Sequence, residues 1–263
     1  MILSLIVPYL AASVTFLYGS VLDIRDRRVP FRTWYPMILI STPFSVWVYY
    51  LLLVGDPFFF IIIAAATCIF CCLMYAIAYF GLFGGADAWA LIFIALFIPL
   101  FPIEPIFGYP PLPIFAFSVL ANALILNLSI PVFFFLFNIL KGNQAPLLYR
   151  FIGFPVKSSD IRSVFGFIME DLDETEDGIH RRFLPFHEAI GRMAKEDRIY
   201  TRDLRERPEH FERELYLYEQ AGSVWISYGV PFFIPITAGL FVSFILGDIL
   251  TTVMNIVLGG LSV

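Results

Sequence analysis

The stretch FGLFGGADAW, residues 80–89, places Asp87 between two apolar stretches of membrane-spanning length. A charged side chain at such a position is costly, and it is usually found where it has a function. Gly84 and Gly85 stand just before it, and glycine lets a backbone or a second carboxylate approach closely because it has no side chain. The sequence therefore predicts a functional site at Asp87.

The composition is that of an integral membrane protein. Of the 263 residues, 59% are hydrophobic, whereas soluble proteins are about half apolar. The net charge is -5, and 16 of the 22 acidic residues lie between positions 160 and 219. One segment is therefore predicted to be soluble, and the rest of the chain is predicted to face lipid.

We predict an all-α polytopic membrane protein with six transmembrane helices. These helices are predicted at residues 2–23, 34–54, 58–80, 87–101, 114–140 and 230–258. The fourth is short, about 22 Å by the helical rise against about 30 Å of hydrocarbon, so we expect it to begin inside a cavity. The predicted domains are 1–140 with helices 1–5, 141–228 as a soluble domain, and 229–263 with helix 6.

A group of arginines after the first helix predicts the orientation. They form the densest basic group in any short loop: Arg25, Arg27, Arg28 and Arg32. Loops rich in Lys and Arg remain on the cytoplasmic side of the membrane. Both termini are then predicted to be outside the cell, and the domain 141–228 is predicted to be cytoplasmic.

This topology pairs Asp87 with Asp23. Asp23 ends a helix that runs inward and Asp87 begins one that runs outward, so both are expected at the cytoplasmic boundary. Two carboxylates that share one proton can hydrolyse a peptide bond. The alternative is a pair of helix-end aspartates, of which Asp87 caps its helix. The other membrane-segment acids are expected past the boundary or on the outer side: Asp26, Asp56, Glu104 and Asp248.

No metal or other cofactor is predicted. Cys68, Cys71 and Cys72 share one apolar stretch, which favours buried small residues over a disulfide or a metal site. His180 and His187 have a spacing that matches no zinc signature, so they are predicted to be structural.

At these residues the chain resembles the archaeal preflagellin and prepilin peptidases, which are related to the bacterial type IV prepilin peptidases and more remotely to presenilin. The resemblance rests on DIRDRRVP from Asp23, on GGAD from Gly84 to Asp87, on YPPLP before the fifth predicted helix, and on VPFFIPIT opening the sixth. Ala86 occupies the third position of the family's GxGD pattern, where archaeal members accept a small residue. The paired CxxC motifs of larger bacterial enzymes are absent, so methyltransferase activity is not implied.

The resemblance implies an aspartyl endopeptidase with Asp23 and Asp87 as catalytic residues and no cofactor. Gly84, Gly85 and Ala86 are then expected beside the substrate. The implied partners are the lipid bilayer and preflagellins or type IV pilin-like precursors, in which a short basic leader precedes a hydrophobic helix; no nucleic acid is implied. The alternatives are a membrane transporter, which would normally hold its charges near the midplane, and a structural membrane subunit.

Overall fold

The computed structural model describes residues 1–81, 83–175, 178–185, 199–227 and 231–259. It divides into two compact units. We call Met1–Leu128 with Pro231–Val263 the membrane unit, and Ser129–Val230 the sheet unit. The domain boundaries expected from the sequence remain predictions.

The described part of the chain is mostly helical. In chain order the helices are α1 (Ile2–Asp26), α2 (Tyr35–Gly55), α3 (Pro57–Tyr79), α4 (Gly85–Phe97), α5 (Phe115–Lys141), α6 (Tyr149–Ile152), α7 (Thr201–Glu206), α8 (Glu212–Ala221), α9 (Phe233–Ile245) and α10 (Ile249–Gly259). A short 3-10 turn at Phe31–Trp34 leads into α2.

Among the described residues, four helices are long and apolar enough to cross a membrane: α1, α2 with its preceding turn, α3 and α5. The pair α9 and α10 makes a fifth span if it is counted as one. Helix α4 has 13 residues, about 20 Å by the helical rise, which is less than the hydrocarbon thickness. The described chain therefore has four to five candidate spans, and the six-span topology remains a prediction.

Exposed apolar side chains agree with a bilayer around the long helices. Val14 on α1, Leu39 on α2 and Phe58 on α3 are 70%, 78% and 74% exposed. A soluble protein seldom shows such extended apolar faces, whereas lipid is as apolar as these side chains. The prediction that the cysteines are buried is wrong for Cys68 and Cys72, which are exposed on α3 because an apolar residue in a membrane helix can face lipid.

The span predicted at 230–258 is not one continuous helix in the structure. Helices α9 and α10 are separate and bent by 60°. Gly247 lies at the break with a φ of +97°, which suits glycine. Asp248 follows and caps α10, because its Oδ1 accepts a hydrogen bond from the Thr251 N–H at 2.9 Å.

Asn122 of α5 satisfies the backbone groups at this break. Its Nδ2 donates to the Gly247 carbonyl at 2.7 Å and to Ser243 Oγ at 2.8 Å. Its Oδ1 accepts a hydrogen bond from the Ile249 N–H at 3.0 Å. Irregular backbone in a membrane protein needs such partners, since lipid offers none.

The all-α prediction is wrong for the sheet unit. Its strands are β1 (Gly153–Lys157), β2 (Phe167–Ile168), β3 (Glu170–Thr175), β4 (Gly178–Phe183) and β5 (Ser223–Ser227). They form an antiparallel sheet in the order β1-β5-β2 and a separate β3-β4 pair.

The acid-rich sequence around β3 is typical of a solvated stretch, and it nevertheless forms a strand. Leu172 and Glu170 are buried, and Leu172 joins the apolar cluster of this unit. Glu170 accepts a hydrogen bond from the Trp225 N–H at 2.8 Å. His180 lies opposite Asp173 in the β3-β4 pair, and His187 lies outside the described residues.

Candidate active site

Asp23 lies on the last full turn of α1 and is partly buried. The helix ends three residues later, and the N–H of the following Arg27 donates to the Asp23 carbonyl at 3.1 Å. Arg27 there adopts a left-handed conformation with a φ of 52°. The chain then turns through Val29 and Pro30 into the 3-10 turn.

Close packing against α9 positions this end of α1. A Cβ on Gly19 would lie 2.8 Å from the ring of Phe233, so a larger residue at position 19 would push the two helices apart. One residue later, the hydroxyls of Ser20 and Thr237 form a hydrogen bond of 2.8 Å. Small residues and hydroxyls at helix contacts are the means by which membrane helices associate. Asp23 is thereby held about one turn beyond a rigid contact.

Aromatic packing positions α4. The ring of Trp89 lies 5.3 Å from Phe31, and the ring of Phe93 lies 5.4 Å from Trp34. Trp34 is fully buried and also contacts Phe16 on α1. Such ring pairs are stabilising beyond the area that they bury. The same cluster therefore ties the start of α4 to the end of α1.

The glycine before Asp87 has a specific steric role. Gly84 is the N-cap of α4, and Asp87 is the third residue of its first turn. The Asp87 carboxylate accepts a hydrogen bond from the Gly84 N–H, so the expected helix-capping contact is present. A Cβ on Gly84 would lie 2.5 Å from Asp87 Oδ2, whereas a Cβ on Gly85 would have no neighbour within 4 Å.

Asp23 and Asp87 line one cleft of about 500 Å³. All five site residues expected from the sequence border this cleft: Asp23, Gly84, Gly85, Ala86 and Asp87. Four further residues also border it: Arg27, Arg28, Val29 and Pro30.

The other aspartates of the apolar segments lie outside this cleft. Asp26 is exposed and lies 3.7 Å from Arg25. Asp56 caps α3 by accepting a hydrogen bond from the Phe59 N–H at 3.0 Å. Asp248 caps α10 as described above. None of the three lines the cleft.

Arg27, Arg28, Val29 and Pro30 are cleft residues that sequence reasoning missed. It interpreted the arginines as orientation signals only. The available signal was their position in the sequence, since all four follow Asp23 within seven residues at the end of the first predicted helix.

Ala86 is expected to need small size but not glycine. It lies inside α4, where φ is negative, and it borders the cleft. Ala86→Gly should keep the cleavage rate of a precursor within a few fold, because the backbone conformation is ordinary. Ala86→Leu should lower the rate severely, because the added isobutyl group would fill the cleft or displace Asp87. A leucine variant as fast as the parent would show that Ala86 does not face the site.

Comparison with known proteins assigns the family. Residues 10–142, just over half of the chain, match the type IV leader peptidase family, and residues 145–249 match the archaeal peptidase A24 C-terminus, type II. The preflagellin peptidase of Methanocaldococcus jannaschii is 19% identical over 254 residues, which cover 92% of this chain and 94% of that protein. The resemblance carried by four short motifs thus extends along most of the sequence. The chain belongs to the type IV leader peptidase family.

Proposed function

We propose that this membrane protein is an aspartyl endopeptidase that removes the short basic leader from preflagellins or type IV pilin-like precursors. The observation that carries the proposal is the cleft to which α1 contributes Asp23 and α4 contributes Asp87. The family supplies the reaction class, which is hydrolysis of a leader peptide bond. The aspartic type of the catalysis is supported by the chemistry of the two carboxylates.

The proposed mechanism uses one ionised and one neutral carboxyl group. The ionised aspartate takes a proton from water, whose oxygen attacks the scissile carbonyl carbon. The neutral aspartate donates a hydrogen bond to the carbonyl oxygen and then a proton to the leaving amine as the C–N bond breaks. Two neighbouring carboxyl groups adopt these different states because their charges repel each other.

The proposed substrates follow from the family resemblance and from the relative. That relative carries the name preflagellin peptidase, which supports a preflagellin substrate, and pilin-like precursors share the same architecture of a basic leader before a hydrophobic helix. Cleavage near the membrane surface would release the helix for assembly. The bilayer is the second partner, and it would hold the substrate helix beside α1 and α4.

The test is a cleavage assay. Membranes that contain the protein are incubated with an epitope-tagged precursor, and the product is identified by its mass and its new N-terminus. We expect a shortened product that begins where the leader ends, and none with membranes that lack the protein. A panel of flagellin and pilin-like precursors from the same genome then identifies the preferred class. Failure to shorten any precursor would instead favour a transporter or a structural subunit.

We further propose that the protein is a multi-pass protein of the cell membrane with the cleft and the sheet unit on the cytoplasmic side and both termini outside. The arginines after α1 support this orientation. In a cysteine-free background, Arg25→Cys and Glu174→Cys should be labelled only from the cytoplasmic side, and Glu104→Cys only from outside. All three positions are exposed. Labelling of position 174 from outside would overturn the orientation.

A further inference from the structure

We propose that Arg27 decides which aspartate is the base: its guanidinium keeps Asp23 ionised, so that Asp87 carries the shared proton. Arg27 is thus a positioning residue that acts through Asp23. This inference rests on the proposed function, because it assigns roles within the same cleft.

The placement of Arg27 gives it access to Asp23. The two residues are four positions apart at the end of α1, and both line the cleft. The positive charge of Arg27 and the partly buried Asp23 carboxylate therefore border the same space. A nearby positive charge favours the ionised form of a carboxyl group.

The backbone of Arg27 indicates that the side chain has a function. In the part of the chain that the structure describes, Arg27 is the one residue other than glycine with a positive φ. The residue that ends a helix in this conformation is usually glycine, because a Cβ is strained there. Residues held in such conformations cluster at functional sites. Arginine at this position therefore points to a task of its guanidinium that outweighs the strain.

The surroundings of the two aspartates differ in charge. Arg27 and Arg28 follow Asp23 and border the cleft, while the α4 residues that border it beside Asp87 are Gly84, Gly85 and Ala86. Helix α9, which packs against this end of α1, contributes the neutral Phe233 and Thr237. A neutral Asp87 can still accept the Gly84 N–H through one oxygen while the other oxygen carries the proton.

The partial charges at the helix termini favour the opposite assignment, in which Asp87 is ionised. Arg27 must therefore outweigh them for Asp23 to be the base. The start of α4 carries about half a positive charge and the end of α1 about half a negative charge, so the termini alone favour an ionised Asp87. The guanidinium carries a full charge and borders the same cleft as Asp23, so we expect its effect to be the larger. Without Arg27, the preference between the two aspartates should weaken or reverse.

The test measures kcat/KM against pH for the purified full-length protein with a tagged precursor. Arg27→Gly should move the acidic limb of the profile up by about one pH unit and lower kcat/KM by about 10-fold on the acidic side of that limb, because Asp23 becomes harder to ionise. Arg27→Lys keeps the positive charge, so its acidic limb should lie at nearly the same pH as that of the parent. Arg25→Gln is the matched control, since it removes an exposed positive charge from the same helix end outside the cleft.

The glycine variant also controls for folding. Glycine removes the strained Cβ, so the midpoint of thermal unfolding should not fall. An unmoved acidic limb, a loss that is equal at every pH, or a change confined to KM would overturn the assignment of Arg27. Absence of cleavage by the parent protein would refute the proposed function itself, so the two failures are distinguishable.

Discussion

Replacing Asp23 or Asp87 by Asn is expected to abolish cleavage of the precursor while the protein still inserts into the membrane. The amide has nearly the size of the carboxyl group but cannot take or give the proton. General acid and base catalysis contributes roughly 10²-fold to 10⁴-fold, so each variant should lose at least this factor. The measurement is the initial cleavage rate at equal amounts of membrane-inserted protein.

The helix-capping aspartates supply the controls for this prediction. The oxygen of an Asn side chain can still accept a backbone N–H, so Asp87→Asn keeps the cap of α4 and removes only the proton chemistry. Asp56→Asn and Asp248→Asn replace a carboxylate by an amide at helix caps outside the cleft. Asp26→Asn makes the same replacement three residues after Asp23, also outside the cleft. These three variants should cleave at near the parent rate. Cleavage by Asp23→Asn at the parent rate would show that the two aspartates are not a catalytic pair.

Gly84→Ala is expected to lower the cleavage rate by about 100-fold, whereas Gly85→Ala should stay within a few fold. The new Cβ at position 84 would lie 2.5 Å from Asp87 Oδ2, so the carboxylate must move. A displacement of about 1 Å in a catalytic group can cost this factor. Gly84 has a φ of −63° and a ψ of 138°, which alanine adopts without strain, so the loss comes from the side-chain contact alone.

The adjacent glycine is a matched control for this effect. A Cβ at position 85 meets no atom within 4 Å, and alanine is a better helix former than glycine. Rates for both variants should be measured with the same precursor, together with their thermal unfolding midpoints. Equal activity of Gly84→Ala and the parent would show that Asp87 does not work in the arrangement that the structure describes.

Local signals predicted the long helices better than their irregularities. Apolar stretches of sufficient length predict α1, α2, α3 and α5, because a span must satisfy its own backbone groups. The break between α9 and α10 was missed, although Gly247 followed by Asp248 is a stop signal and then a start signal for helices. This pair lies within a long apolar run, which favoured the prediction of one continuous span.

The strands of the sheet unit were missed for a different reason. Acidic residues dominate β3, and such composition is typical of solvated chain. Leu172 is nevertheless buried, and the strand is stabilised by pairing with β4. Pairing between segments depends on the partner strand, which the local composition of β3 does not reveal.

The sequence by itself determined that this is a membrane protein, and it singled out Asp23 and Asp87, because charges in apolar stretches are few and each stands out. Only the tertiary structure decided that Arg27 borders the same cleft and that Gly84, unlike Gly85, must lack a side chain. These features depend on where α1 and α4 lie relative to each other. That placement results from packing between residues far apart in the chain, such as Gly19 against Phe233 and Phe31 against Trp89.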